Sequence, residues 1–378
     1  MDNLQYVKQA HRFNVFHISF CYVFFTLALL FLIPQKLNAQ LVGTYMDYEG
    51  SISADEEGNT FLLPTFVYAE PVMDEIYIID GTSRIMIYTT DFLPLFTLGE
   101  WEGIEKPNGL VVDAQGNLYV AQSRSKNNPR SRISVYNACF KWDRDIYFEG
   151  FEGAETFEPH RLAIDKEGNL YIAANYFPGI LVLDRNNRLI EVISPEEEGN
   201  KAKLMNVTID KSGKIYLVNE ELGHIYVYDE NRQFLFKFGE KGGSTGKLSH
   251  PRAIGIDNRD GKMYVVDYMR HAINAYDKEG NFVFEFGGQG WSAGWFQFPT
   301  TLTIDSKGKI WVADFFNNRI QVFAPRLLSK KPIGIDIVQA KNQTFTDDSY
   351  TYDSLLGYNL QYRLKIEQRN QKIRFPLP

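Results

Sequence analysis

The chain has 378 residues, 44% hydrophobic and 23% charged, with a formal net charge of −7. That composition excludes a chain too polar to bury a core. The acidic balance argues against nucleic acid as a partner, which selects for a basic patch.

Residues 1–39 stand apart. Lys8 and Arg12 precede an apolar run from Val15 to Ile33, and Leu37-Asn-Ala39 offers a small residue at a cleavage position before Gln40. This is the layout of a secretory signal peptide. The run is also about the ~20 residues that span a bilayer, so a retained anchor over residues 15–33 is the alternative. Either way the following domain is expected to be exported, secreted or periplasmic, and to meet a membrane only through an uncleaved N-terminal segment. Of the two cysteines, Cys21 falls in the leader and leaves Cys139 no second cysteine for an intramolecular disulfide, so packing must supply stability.

From residue 40 to 328 the sequence repeats. Each unit carries an apolar strand ending at an acidic residue, a glycine turn, a second strand with a central aromatic, and a third strand. The first unit is the loosest, with Pro64, Glu70, Ile76-Tyr-Ile-Ile-Asp80 and Arg84-Ile-Met-Ile-Tyr88. Pro107 to Asp113 is followed by Gly116-Asn-Leu-Tyr-Val-Ala121 and Arg132-Ile-Ser-Val-Tyr136. Pro159 to Asp165 is followed by Gly168 to Ala174 and Gly179 to Leu183. A unit without the proline runs from Leu204 to Asp210, Gly213 to Val218 and His224 to Tyr228. Pro251 to Asp257 leads to Met263 to Asp267 and Ala272 to Tyr276. The last unit, Pro299 to Pro325, is the most regular, with Asp305, Gly308, Trp311-Val-Ala-Asp314 and Arg319-Ile-Gln-Val-Phe323. The central aromatics Tyr77, Tyr119, Tyr171, Tyr216, Tyr264 and Trp311 recur at intervals of 42 to 52 residues. Fourth strands are expected at Phe92–Leu98, Phe234–Phe238 and Phe282–Phe286. Units of four strands in roughly 40–50 residues signal propeller blades. The fold class is therefore all-β, a six-bladed β-propeller of four-stranded antiparallel blades. The last unit lacks its own fourth strand. Val42 to Tyr48 is expected to supply it and so close the ring, removing two edges that invite aggregation. Residues 329–378 form a polar C-terminal extension outside the repeats.

These segments resemble those of NHL-repeat proteins. The resemblance lies in Pro-x-Gly-apolar-x-apolar-Asp, Gly-Asn-apolar-Tyr-Val-Ala-Asp and Asn-x-Arg-Ile-x-Val-Phe, and it covers roughly residues 60–325. It implies a fold and says little of function, because one fold hosts many functions.

The Asp set Asp113, Asp165, Asp210, Asp257 and Asp305 precedes a Gly by three or four residues in five of the six units. That is the chemistry of a turn, not of a calcium site. Function is expected where units depart from the pattern. Loops between fourth and first strands, and between second and third strands, share one face around the central channel. There the reading places a ligand-binding set of Asn108, His160, Arg161, Asn206, Arg252, Tyr268, Arg270, His271, Phe315 and Phe316. Arginines in an acidic protein grip carboxylates, sulfates or acidic peptides, and exposed aromatics suit a sugar or a protein. The expected ligand is a protein, peptide or glycan. No catalytic or metal-ligand set is assigned and no cofactor is called for, although a divalent metal is left open. The resemblance extends to six-bladed lyases with a His-held metal and to gluconolactonase-like enzymes with a Glu/Asn/Asp-held ion. A metal-dependent lyase or lactonase-like hydrolase at the same face is therefore the alternative. The P-loop and the His-Glu-x-x-His motif are missing from the sequence. Residues 195–201 are read as a solvated acidic connection.

Overall fold

A computed structural model describes residues 46–326 apart from 175, 176 and 198. The expected leader or anchor and the C-terminal extension lie outside the described residues. The chain divides into two compact units. One is represented here by residues 46, 47, 325 and 326, in which the Arg326 guanidinium pairs with the Asp47 carboxylate. The other contains the blades.

The repeat pattern becomes six four-stranded antiparallel sheets arranged in a ring. Blade 1 spans Phe66–Leu98, blade 2 Pro107–Ile146, blade 3 Pro159–Ile193, blade 4 Asn206–Phe238 and blade 5 Pro251–Gly287. Blade 6 takes three strands from Pro299–Pro325 and its outermost one from Met46–Ile52. The N-terminal strand thus closes the ring; it is described over Met46–Ile52 and so runs four residues past the expected end at Tyr48, while residues 42–45 lie outside the described residues. The later bound has a packing reason. Ile52 is buried in the cluster that seals blade 6 to blade 1, beside Phe61, Val67, Trp311 and Ile320. Tyr48 meets Phe323 edge-on at 5.9 Å.

Blades 2 and 3 also have outer strands, Trp142–Ile146 and Leu189–Ile193, which the sequence pattern did not mark. Half of their side chains face solvent, so no strict alternation was imposed on them. The core lies between neighbouring blades rather than at the centre. Separate apolar clusters join blade 1 to 2, 2 to 3, 3 to 4 and 4 to 5.

The recurring Asp is a turn residue, as expected. In blade 6 the Gly308 N–H donates to the Asp305 carbonyl at 3.0 Å, and Gly308 sits at φ 79°. The Asp305 carboxylate accepts the Lys307 and Lys309 N–H groups at 3.0 and 2.8 Å. Its other oxygen accepts the indole N–H of buried Trp311 at 2.9 Å. Asp113, Asp165 and Asp210 likewise accept the hydroxyls of Tyr119, Tyr171 and Tyr216 at 3.4, 3.2 and 2.9 Å. The spacing of six residues between acid and aromatic is thereby explained: one carboxylate caps the turn and anchors the aromatic of the adjoining strand.

The connection at 195–201 is not simply solvated. Glu196–Glu197 and Asn200–Lys201 form a small hairpin. The Glu197 carboxylate, 17% exposed, accepts from the Tyr226 hydroxyl at 2.6 Å and Lys237 Nζ at 2.7 Å. It also meets His224 Nδ1 at 3.0 Å. Burial pushes its pKa up, but Lys237, Tyr226 and His224 together bring it down to about 2.

Candidate binding site at the channel mouth

The six inner strands enclose a channel with a cavity of about 390 Å³. Its wall is mostly backbone and small or branched apolar side chains. Blades approach closely there. A Cβ on Gly109 would come within 2.5 Å of the His160 carbonyl oxygen, so glycine is required at that crossing. Ring closure is reinforced by the Thr301 and Thr303 hydroxyls, which accept the Val67 and Ala69 N–H groups, each at 3.0 Å.

Above the channel, where the inner strands begin, lies a second cavity of about 220 Å³. His160, Arg161, Arg252, Tyr268 and Phe315 line it, as do Thr65, Met205 and Thr300. Five of the ten expected residues therefore share one cavity. Thr65 and Thr300 occupy the same place after Pro64 and Pro299 that His160 and Arg252 occupy after Pro159 and Pro251. That shared place was the available signal for them. Met205 precedes Asn206 in the one unit without the proline, where no such marker exists.

The electrostatics of this mouth are one-sided. Its lining contains two arginines and a histidine, and no carboxylate. Arg161 is 7% exposed. Its guanidinium donates to the carbonyls of Asn108, His160 (3.3 Å) and Thr65 (3.3 Å), and lies 4.9 Å from the Phe66 ring centre. Arg161 borders both cavities and so stands between mouth and channel. Burial and the neighbouring Arg252 charge push its pKa down to about 9. Arg252 lies 3.6 Å above the Tyr268 ring, and its Nε donates to Glu220 at 3.1 Å. His160 is half-buried, and its Nδ1 has no partner among the described residues. Burial, then Arg161 and Arg252, hold its pKa well below the ordinary histidine value, so the ring is neutral at pH 7.

The other five expected residues sit elsewhere. Asn108 joins blades 2 and 3, donating to Ser123 Oγ at 2.7 Å and the Pro159 carbonyl at 3.0 Å. Asn206 is 6% exposed and lines the channel below. Arg270 pairs with Glu285 at 2.7 Å and holds the carbonyls of Ser244 and Lys247, which fixes the connection between blades 4 and 5. His271 adopts φ 56° and accepts the Phe298 N–H at Nδ1, 2.9 Å away, a backbone-anchoring role. Phe316 lies outside the cavity on an aromatic rim. There Phe315 meets Phe316 at 4.8 Å, Phe316 meets Phe298 at 5.3 Å, and Phe298 meets Tyr268 at 4.9 Å. Among the described residues, no three His, Cys, Asp or Glu side chains come together as a ligand set for a metal.

The NHL-repeat family model matches residues 296–323, the template unit of blade 6. No curated protein sequence matches the chain. Among similar solved structures is a Bacteroides thetaiotaomicron protein of unknown function, at TM-score 0.56 and 14% identity, covering 75% of this chain and 76% of that one. An auxiliary nutrient binding protein from the same organism aligns at TM-score 0.55 and 11% identity, over 74% of this chain and 76% of that one. A streptogramin B lyase aligns at TM-score 0.52 and 11% identity, over 75% of this chain and 98% of that one. Identities this low speak to fold alone. The NHL-repeat match falls on blade 6, and the six four-stranded blades make this chain a six-bladed β-propeller that carries an NHL repeat.

Proposed function

We propose that the chain is an exported binding propeller that takes a protein, peptide or glycan ligand at the channel mouth. One observation carries the reading. The polar residues repeated from blade to blade are consumed by turns, whereas the residues that break the repeat, His160, Arg161, Arg252, Tyr268 and Phe315, meet around one cavity. Concave sites with a few convergent polar groups are the usual place for ligands. The same fold serves in a protein described as nutrient binding, which makes binding a role this scaffold supports. A metal-dependent lyase or lactonase-like hydrolase at the same mouth gains no donor set from a lining with one histidine and no carboxylate.

The test is an array of oligosaccharides and peptides probed with the purified chain and with its Tyr268→Ala/Phe315→Ala variant. The reading expects array ligands whose binding falls at least tenfold in a variant of unchanged melting temperature. Ligands held equally well by the variant would place binding elsewhere.

A further inference from the structure

Arg161 raises a question that the fold alone does not answer. A buried cation is costly unless an opposite charge accompanies it. Here the guanidinium is met only by main-chain carbonyls and the Phe66 ring, and no carboxylate pairs with it among the described residues. Three carbonyl dipoles solvate the group and fix its plane, but they leave its charge uncompensated. Arg252 is held as rigidly, with Tyr268 beneath it and Glu220 at its Nε edge. His160 adds an unpartnered ring nitrogen beside both. Arg161 differs in this from the arginines of blades 5 and 6 among the described residues: Arg252, Arg259, Arg270 and Arg319 each have a close carboxylate partner.

We infer that the mouth cavity takes an oxyanion of the ligand, a carboxylate, sulfate or phosphate, between the Arg161 and Arg252 guanidinium groups and the His160 imidazole. The inference rests on the proposed ligand-binding role of this mouth and names the group recognised there. Planar guanidinium forks suit such oxyanions, and the low local dielectric strengthens the contact. Size supports a group rather than a whole molecule. The cavity of about 220 Å³ falls below the ~300–1,000 Å³ of pockets that enclose drug-sized ligands. The remainder of the ligand then lies along the rim of Phe315, Phe316, Phe298 and Tyr268, whose successive ring contacts present a continuous aromatic surface.

Calorimetric titration of the purified chain with sodium acetate, sulfate and phosphate, at ionic strength matched with chloride, tests the inference. At least one of the three is expected to bind saturably with one-to-one stoichiometry, and the strongest identifies the acid group. That affinity should fall at least tenfold in His160→Gln and in Arg252→Gln, both melting within a few degrees of the parent. Arg161 is not the residue to replace first, because its carbonyl contacts bridge three blades. Saturable binding by none of the three anions overturns the inference, as does binding that both variants retain, which would mark an adventitious ion only. The two readings fail separately. An array ligand lost in Tyr268→Ala/Phe315→Ala but not displaced by any of the anions sinks the oxyanion while sparing the mouth. An array ligand indifferent to the mouth variants sinks the binding role itself.

Discussion

Replacing Asp305 with alanine tests whether the repeated acid is scaffold. In blade 6 this carboxylate accepts two backbone N–H groups of its own turn and the indole N–H of fully buried Trp311. Leaving the indole N–H buried without an acceptor costs about 1–3 kcal/mol. The two turn bonds go to an ionised acceptor, and their loss adds about 1–2 kcal/mol, since water can reach part of the turn. One term opposes these. Burial holds the Asp305 pKa above the usual carboxylate range, against the lowering by Trp311 and the backbone, so removing the acid relieves some desolvation. The net expectation for Asp305→Ala is a loss of about 2–4 kcal/mol, or a fall in melting temperature of roughly 4–16 °C. Asp305→Asn retains one acceptor and should lose less. Urea unfolding of the three proteins, with and without a calcium chelator, measures both points. A change below about 0.5 kcal/mol would contradict the geometry. So would destabilisation of the unsubstituted chain by chelation to the same extent, which would turn the acid into a metal ligand.

Two further predictions concern the closing seam and His160. Deleting residues 46–52 strips the outermost strand from blade 6, uncovers Ile320 and Val322 of the seam cluster and leaves an open strand edge. The loss of Ile52 alone is worth about 1.5–3 kcal/mol, so the melting temperature should drop by roughly 3–12 °C from that term alone; an unchanged melt would mean that the strand does not seal the ring. The folded pKa of His160 is depressed by burial, Arg161 and Arg252. Below its unfolded pKa near 6.5, the unfolded chain binds a proton that the folded chain refuses. Stability therefore falls as the pH drops below that value, by up to about 1.4 kcal/mol per unit. His160→Gln should flatten this part of the profile when urea unfolding is compared between pH 7 and 5, and parallel profiles would refute the assignment. His271, also depressed by burial, contributes equally to both proteins.

Much of the architecture was legible because each blade has to solve the same local problems. The turn needs an acid and a glycine, as at Asp305 and Gly308, and the second strand needs a large aromatic within reach of that acid, as at Trp311. Such requirements recur at fixed spacing. The outer strands of blades 2 and 3 have no equivalent requirement, because residues such as Trp142 and Ile190 face solvent, and they left no pattern. The mouth was legible in part. His160, Arg161, Arg252, Tyr268 and Phe315 stood out as departures from the repeat. Arg270 and His271 depart from it too, yet a left-handed backbone at His271 and the pull of Glu285 on Arg270 turn both toward neighbouring loops. Side-chain direction at a loop depends on such tertiary partners, which the spacing of residues does not encode. Glu197 was hidden for the same reason: its partners His224, Tyr226 and Lys237 come from strands well beyond it in sequence.

His160 offers a direct reporter of ligand entry where the repeat is broken. With histidine labelled by nitrogen-15, titration with the anion bound most tightly in calorimetry should move the His160 ring resonances toward the protonated form. They should saturate at the calorimetric dissociation constant, while His224, engaged by Glu197, and His271, engaged by the Phe298 N–H, stay in place. Movement of His224 without His160, or no movement of His160 at saturation, would contradict a binding site at the channel mouth.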